Sequence, residues 1–100
     1  MKLIQVLTRQ ESEVKWVGAL QAKERELRGG STTWQRASSR KWTHRTYPGW
    51  VAWVEPVPGL LVARAQSRAE KTEWQILNAF VGFLNRHFGN NIESITISFR

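Results

Sequence analysis

Alternation of apolar and polar residues predicts strands at both ends of the chain and in its second half. Lys2 to Thr8 alternates with apolar groups on both faces, which is typical of a strand inside a sheet. Trp50 to Glu55 and Leu60 to Gln66 have the same character, and the Pro56-Val57-Pro58-Gly59 segment between them favours a tight hairpin connection. Ile92 to Phe99 alternates again and predicts a final strand.

A helical period predicts one long helix between the hairpin and the final strand. It opens at Ser67-Arg68-Ala69-Glu70, which fits a capping box, and Gly89 ends it. The residues expected to form its apolar stripe are Trp74, Ile76, Leu77, Phe80, Val81, Phe83, Leu84 and Phe88.

Residues 9 to 28 admit two interpretations. A second capping box at Thr8 to Glu11, helical spacing of Trp16, Val17, Leu20 and Leu27, and a break at Gly29-Gly30-Ser31 favour a helix. Val14 to Leu20 also fits a strand paired back on the first one, with a charged loop from Lys23 to Gly30. The composition favours the helix because Glu, Lys, Gln, Ala and Leu dominate this segment.

The segment from Thr32 to Tyr47 is polar, β-branched and aromatic, a composition typical of exposed strands. Ser38-Ser39-Arg40-Lys41 would form a turn between two arms. Tyr47-Pro48-Gly49 then turns the chain toward the hairpin.

These elements predict an α+β fold. We expect an antiparallel sheet of four to five strands with one or two helices on one face, the ferredoxin-like β-α-β-β-α-β arrangement being one candidate. If residues 9 to 28 are not helical, the alternative is a longer meander with one helix across it. A chain of 100 residues has room for one core, so residues 1–100 are predicted to form a single domain.

Composition narrows the possible environments and chemistry. The chain has no cysteine, which excludes disulfides and cysteine-ligated metals. The apolar start is too short for a signal peptide, and no segment approaches the length of a membrane span, so we predict a cytoplasmic protein without membrane contact. Two histidines 43 positions apart and scattered carboxylates suggest no metal site, and no motif for a cofactor is present.

Positive charge is concentrated in the middle of the chain. Fifteen Lys and Arg residues against eight Asp and Glu give a formal net charge of +7. Residues 31 to 68 alone contribute +5, since they contain six basic side chains and one acidic one. Such an excess favours a polyanionic partner.

Aromatic residues are concentrated in the same region. The stretch from Thr33 to Glu55 contains four of the six tryptophans and the only tyrosine. Interleaved aromatic and cationic side chains can stack on bases and neutralise phosphates. We expect at least one of Trp50 and Trp53 to lie in the core, whereas Trp34 and Trp42, with polar neighbours, are expected to be partly exposed. The predicted nucleic-acid-binding residues are Trp34, Arg36, Arg40, Lys41, Trp42, His44, Arg45 and Tyr47.

The favoured function is binding of nucleic acid, with RNA or another single strand preferred because aromatic groups need unstacked bases. The alternative is a protein-interaction module or small regulatory subunit that docks an acidic partner, because exposed Trp and Arg also mark protein interfaces. A third hypothesis is a metal-independent RNase-like enzyme that uses His44 with Lys41, Arg45 and Glu55. An enzyme is the less favoured class, and the oligomeric state is not indicated.

Overall fold

The computed structural model describes residues 1–30 and 33–99. Its elements are β1 (Lys2–Thr8), α1 (Trp16–Leu27), β2 (Trp34–Ser38), β3 (Lys41–His44), β4 (Trp50–Val57), β5 (Leu60–Gln66), α2 (Glu70–Phe88), a 3-10 turn (Gly89–Asn91) and β6 (Ile92–Phe99). Ser31 and Thr32, at the predicted break and at the start of the predicted arm, lie outside the described residues.

The strands form one antiparallel sheet of six strands in the order β2-β3-β4-β5-β1-β6. The predicted α+β class is confirmed, but four to five strands was too low. Both arms of the middle segment join the sheet: β2 and β3 pair around Ser39 and Arg40, and β3 pairs with β4. The hairpin of β4 and β5 is confirmed. The ferredoxin-like arrangement stays a prediction.

Helix α1 resolves the two interpretations of residues 9 to 28. Residues 16 to 27 are helical, so the strand alternative is wrong, but the helix starts later than predicted. The Glu55 carboxylate accepts a hydrogen bond from the Trp16 amide (3.0 Å) and another from the Gly59 amide (3.2 Å). Glu55 of β4 therefore provides an acceptor for the Trp16 N–H, which has no partner within α1 because it lies in the first turn of the helix. The Thr8 hydroxyl instead accepts from the Trp16 indole (2.7 Å), so the capping box predicted at Thr8 is wrong.

Helix α2 confirms the long amphipathic helix, with its start at Glu70. Its predicted capping box is wrong too, since no side chain caps it. The Ser67 hydroxyl donates to the Pro48 carbonyl (2.7 Å) and shares a hydrogen bond with the Thr72 hydroxyl. Trp74 lies at the margin of the apolar stripe, 39% exposed and stacked on Phe99.

Both helices cover the same face of the sheet. Their buried residues belong to one core with the strand residues that alternate toward them, such as Val6, Val51 and Leu61. The centre is an aromatic cluster of Trp16, Trp34, Trp42, Trp53, Phe80, Phe83 and Phe88. No helix in the described part of the chain is long and apolar enough to cross a membrane.

The other face of the sheet carries the alternate strand residues and faces away from α1 and α2. We call it the open face. It comprises Leu3, Gln5, Leu7, Gln35, Lys41, Thr43, Trp50, Ala52, Val54, Leu60, Val62, Arg64, Gln66, Ser94, Thr96 and Ser98.

Candidate nucleic-acid interface

Trp34 and Trp42 are core residues, and the prediction that they are exposed is wrong. Their exposed fractions are 3% and 1%. Both side chains point to the helix side of the sheet, where Phe80 lies edge-on to each ring at 6.0 and 6.1 Å between centroids. The hairpin of β2 and β3 is thus an extension of the sheet under α2. Neither ring can stack on a base in this structure.

Trp50 occupies the opposite face. It is the one tryptophan among the open-face residues, and it is partly exposed. The Lys41 Nζ lies 4.5 Å from the centroid of its ring, and the Arg64 guanidinium carbon lies 5.9 Å from it. These are cation–π distances. Trp53, in contrast, is 2% exposed, which confirms that one of this pair belongs to the core.

The strand register groups four larger side chains around Ala52 on the open face. On the neighbouring strands, Ala52 of β4 is paired with Lys41 of β3 and with Arg64 of β5. Along β4 itself, Trp50 precedes Ala52 and Val54 follows it on the same face. Ala52 has the smallest side chain of the five. Larger side chains surround it, two of them cationic, one aromatic and one aliphatic.

The loop before β4 fixes the position of Trp50. Gly49 has a φ of +124°, a conformation that side-chain-bearing residues rarely adopt. A Cβ atom at this residue would lie 2.3 Å from the Gln66 carbonyl oxygen and 2.6 Å from the Ile76 Cδ1. The backbone before Trp50 therefore packs directly on β5 and α2, and this contact requires glycine.

The charge on the open face has one sign. None of its residues, as defined above, is acidic, and Lys41 and Arg64 have no ion-pair partner in the described part of the chain. The carboxylates lie elsewhere. Glu55, the acidic residue of β4, is directed to the start of α1 and bonds to backbone amides there.

The end of the open face away from Trp50 contains a group of aliphatic side chains. Leu7 and Val54 are 49% and 46% exposed, and Leu60 and Val62 are their neighbours in the sheet. Gln5 and the Ser and Thr residues of β6 complete this end. The open face as a whole thus combines a basic aromatic part with an aliphatic part.

His44, the last residue of β3, stacks on Tyr47, with ring centroids 4.7 Å apart. The His44 Nδ1 accepts hydrogen bonds from the Thr46 amide (3.0 Å) and the Tyr47 amide (3.2 Å). Burial lowers the pKa of His44, which keeps the ring neutral at pH 7. Because Nδ1 accepts from two backbone donors, the His44 side chain orders the turn that follows β3.

The remaining predicted residues are divided between two surfaces. Lys41 lies on the open face with Trp50, and Arg40 is exposed in the turn between β2 and β3. Arg36 and Arg45 lie instead beside a cleft on the helix side, together with Glu24 and Arg28 of the α1 region. The eight predicted residues therefore do not form one site.

Sequence reasoning missed Trp50 and Arg64 as members of the candidate interface. Alternation within Trp50-Val51-Ala52-Trp53 could have separated the two tryptophans, since Val51 and Trp53 share one face and Trp50 and Ala52 the other. The proximity of Arg64 to Lys41 depends on the register of three strands, for which the sequence has no local signal.

Comparisons of the chain with protein-family models, with curated proteins and with solved structures find no match. Within the described residues, no three His, Cys, Asp or Glu side chains are grouped so that they could hold a metal ion.

Proposed function

We propose that this protein binds single-stranded nucleic acid through its open face. The observation that carries the proposal is Trp50, a partly exposed indole between Lys41 and Arg64 on a sheet face that has no carboxylate among its described residues. An unpaired base would take the place of a cation on the Trp50 ring, and the displaced cation and its neighbour would contact the adjacent phosphates. Of the residues predicted from the sequence to bind nucleic acid, Lys41 belongs to this surface.

Single strands fit this face better than duplexes do. A base inside a duplex has both faces stacked, so it cannot reach an indole that rises from a sheet. Val54 follows Ala52 on the same face of β4 and would offer an aliphatic contact to a base next to the stacked one. The net charge of +7 would accelerate the encounter with a polyanion.

The strand order supports the ferredoxin-like arrangement that the sequence pattern predicts. Helix α1 lies between β1 and β4 in the sequence, and these two strands flank β5 in the sheet. Helix α2 connects β5 to β6, and these two strands flank β1. Two such split β-α-β units define that arrangement. We propose that β2 and β3 are an insertion at its edge, and that the sheet presents its open face as the sheets of RNA-recognition domains do.

Binding of fluorescently labelled oligonucleotides, followed by anisotropy, tests the function. We expect Trp50→Ala to weaken binding about 5- to 150-fold, as loss of one stacked base at about 1–3 kcal/mol implies. Lys41→Ala and Arg64→Ala should each reduce the slope of log affinity against log salt by about 1. Trp74→Ala is the matched control, because Trp74 is also exposed but lies with Phe99 on the helix side.

Two results would refute the proposal. One is the absence of binding to any RNA or DNA single strand at low salt. The other is equal affinity of the Trp50→Ala variant and the unaltered protein, since purely electrostatic attachment would then explain the binding.

The exposed aliphatic residues of the open face favour a second candidate, an acidic protein partner. Leu7 and Val54 would then be the anchors, with Lys41 and Arg64 as a charged rim. A photo-crosslinking amino acid at Val54 distinguishes the candidates in cells. Crosslinks to one protein, lost on Leu7→Asp, support this candidate, whereas crosslinks to nucleic acid support the first.

A further inference from the structure

A second cationic surface lies on the helix side of the sheet, between α1 and the hairpin of β2 and β3. Two adjoining clefts of about 410 Å³ and about 270 Å³ share Glu24, Arg28 and Arg36 in their walls. Arg45 lines the larger cleft and Arg25 the smaller one. We call these five residues the arginine cleft.

Glu24 and Arg28 are already paired with each other. Glu24 is 7% exposed, and both of its carboxylate oxygens accept hydrogen bonds from the Arg28 guanidinium, one of them at 3.0 Å. Hydrogen bonding to Arg28 outweighs burial and holds the pKa of Glu24 below its ordinary value, with Arg36 and Arg25 adding to the effect. The carboxylate is therefore ionised at pH 7 and uses its acceptor oxygens on Arg28.

Arg25, Arg36 and Arg45 have no such partner. No carboxylate in the described part of the chain lies within ion-pair distance of them, whereas Arg9 and Lys23 are paired with Glu93 and Glu26. One carboxylate therefore faces four guanidinium groups across the arginine cleft. The local charge is +3, four arginines less one glutamate.

The walls of the cleft are held in place independently of any ligand. The Gln21 side-chain amide of α1 donates to the Ser39 carbonyl (2.8 Å) at the tip of the hairpin. The Arg45 amide donates to the Thr33 carbonyl (2.8 Å) and continues the ladder of β2 and β3. Trp34 lines the larger cleft and Trp42 the smaller one, and both are anchored in the core.

We infer that the arginine cleft is a binding site for a phosphate group, with Arg36 and Arg45 as its principal ligands. Guanidinium groups suit this role because their planar, forked N–H donors match phosphate oxygens in pairs. A dianion would offset most of the local charge, and the Arg28 guanidinium, held by Glu24, would present a fixed donor edge. Chloride has no such geometry, and a carboxylate offers one charge and two oxygens.

This inference goes beyond the proposed function, because it uses other residues on the opposite face of the sheet. The phosphate could belong to a nucleic-acid backbone that passes around the β2 edge, or to a small phosphorylated ligand. Both sources have the same chemistry at the arginines, and the experiment below separates them.

Titration of the protein with inorganic phosphate, followed through the arginine Nε–H signals in NMR spectra, tests the site. We expect saturable shifts at Arg36 and Arg45, and no comparable shifts with chloride or acetate at matched ionic strength. Arg36→Gln and Arg45→Gln should each weaken phosphate binding about tenfold or more, the loss expected for one charge-assisted hydrogen bond. Arg9→Gln is the control, since Arg9 lies at the other end of the sheet with Glu93.

Shifts at Arg36 and Arg45 no larger than those at Arg9, or undiminished binding by a folded Arg36→Gln Arg45→Gln double variant, would overturn the inference. Oligothymidylate added to the Trp50→Ala variant identifies the source. If it displaces phosphate from the arginines, the ligand is a nucleic-acid backbone; if it does not, the ligand is a free phosphorylated molecule. Failure of the proposed function would appear separately, as unaltered oligonucleotide affinity on Trp50→Ala.

Discussion

Replacement of Trp42 by alanine should destabilise the protein far more than replacement of Trp50, although both tryptophans lie in the same basic stretch. The Trp42 ring is 1% exposed and contacts Trp53 at 4.7 Å and Phe83 at 5.2 Å between centroids, with Trp34 and Phe80 slightly farther away. Trp50 is partly exposed, and its aromatic-face contacts are with the cations of Lys41 and Arg64.

The magnitude follows from the area that each ring removes from water. A buried indole removes about 150–250 Å², worth about 4–6 kcal/mol at 25 cal/mol per Å². Alanine retains part of this buried area, whereas the edge-on aromatic contacts are lost completely. We therefore expect Trp42→Ala to lower the free energy of unfolding by about 3–5 kcal/mol. Trp50→Ala removes two exposed cation–π contacts and partial burial, so its cost should not exceed about 1.5 kcal/mol.

Urea unfolding followed by far-ultraviolet circular dichroism measures both effects without relying on tryptophan emission. With a slope of about 2 kcal/mol per M, typical of a small domain, Trp42→Ala should lower the unfolding midpoint by about 2 M and Trp50→Ala by less than about 1 M. Equal shifts for the two variants, or a shift below about 0.5 M for Trp42→Ala, would refute the assignment of Trp42 to the core and Trp50 to the open face.

Two further predictions concern Gly49 and Glu73. Gly49→Ala should cost at least about 3 kcal/mol in thermal unfolding, because the new Cβ would clash with the Gln66 carbonyl and a φ of +124° is strained for alanine. Gly18→Ala on α1 is the control: nothing lies within 4 Å of its new Cβ, so it should stabilise the protein by about 0.5–1 kcal/mol. Similar melting temperatures of the two variants would contradict this prediction. Burial raises the pKa of Glu73, but hydrogen bonds from the N-terminus and Lys2 outweigh it and leave the pKa below its ordinary value of 4.5. The ionised Glu73 carboxylate therefore contributes its full stabilisation above pH 4.5, and this stabilisation is lost as the pH falls through the lower pKa of the folded state. Urea midpoints measured from pH 7 downward should fall less for Glu73→Gln than for the unaltered protein. An equal fall would contradict the pairing of Glu73 with Lys2 and the N-terminus.

Elements with a regular local pattern were predictable from the sequence. The strands β1, β5 and β6 follow from alternation, and α2 follows from a stripe that repeats every three or four residues. The capping boxes were not predictive, because the hydroxyls of Thr8 and Ser67 bond to Trp16 and Pro48 instead. Those partners are brought close by the tertiary structure, and a local motif contains no information about them.

The exposure of the tryptophans was the point at which sequence reasoning failed. Trp34 and Trp42 have polar neighbours because β2 is an edge strand and because the alternate residues of β3 face the open side of the sheet. What buries the two rings is the aromatic side of α2, with Phe80 and Phe83 more than 35 positions away in the chain. The stretch from Thr33 to Glu55 is basic and aromatic, but the structure divides its side chains between the core, the open face and the arginine cleft.

This division determines which variants can test binding. Trp42 precedes Thr43 and follows Lys41 on β3, so loss of its ring from the core would displace the strand that carries the Lys41 cation to Trp50. The same displacement would move Arg36, which is paired with Trp42 in the β2–β3 ladder, away from the arginine cleft. A Trp42→Ala variant would thus lose both proposed sites through one packing defect and could not distinguish binding from folding. The core stays closed when Trp50, Arg64, Arg36 or Arg45 is replaced, because Trp50 is only partly buried and the three arginines are exposed. Binding experiments on variants at these four positions therefore separate the open face from the arginine cleft.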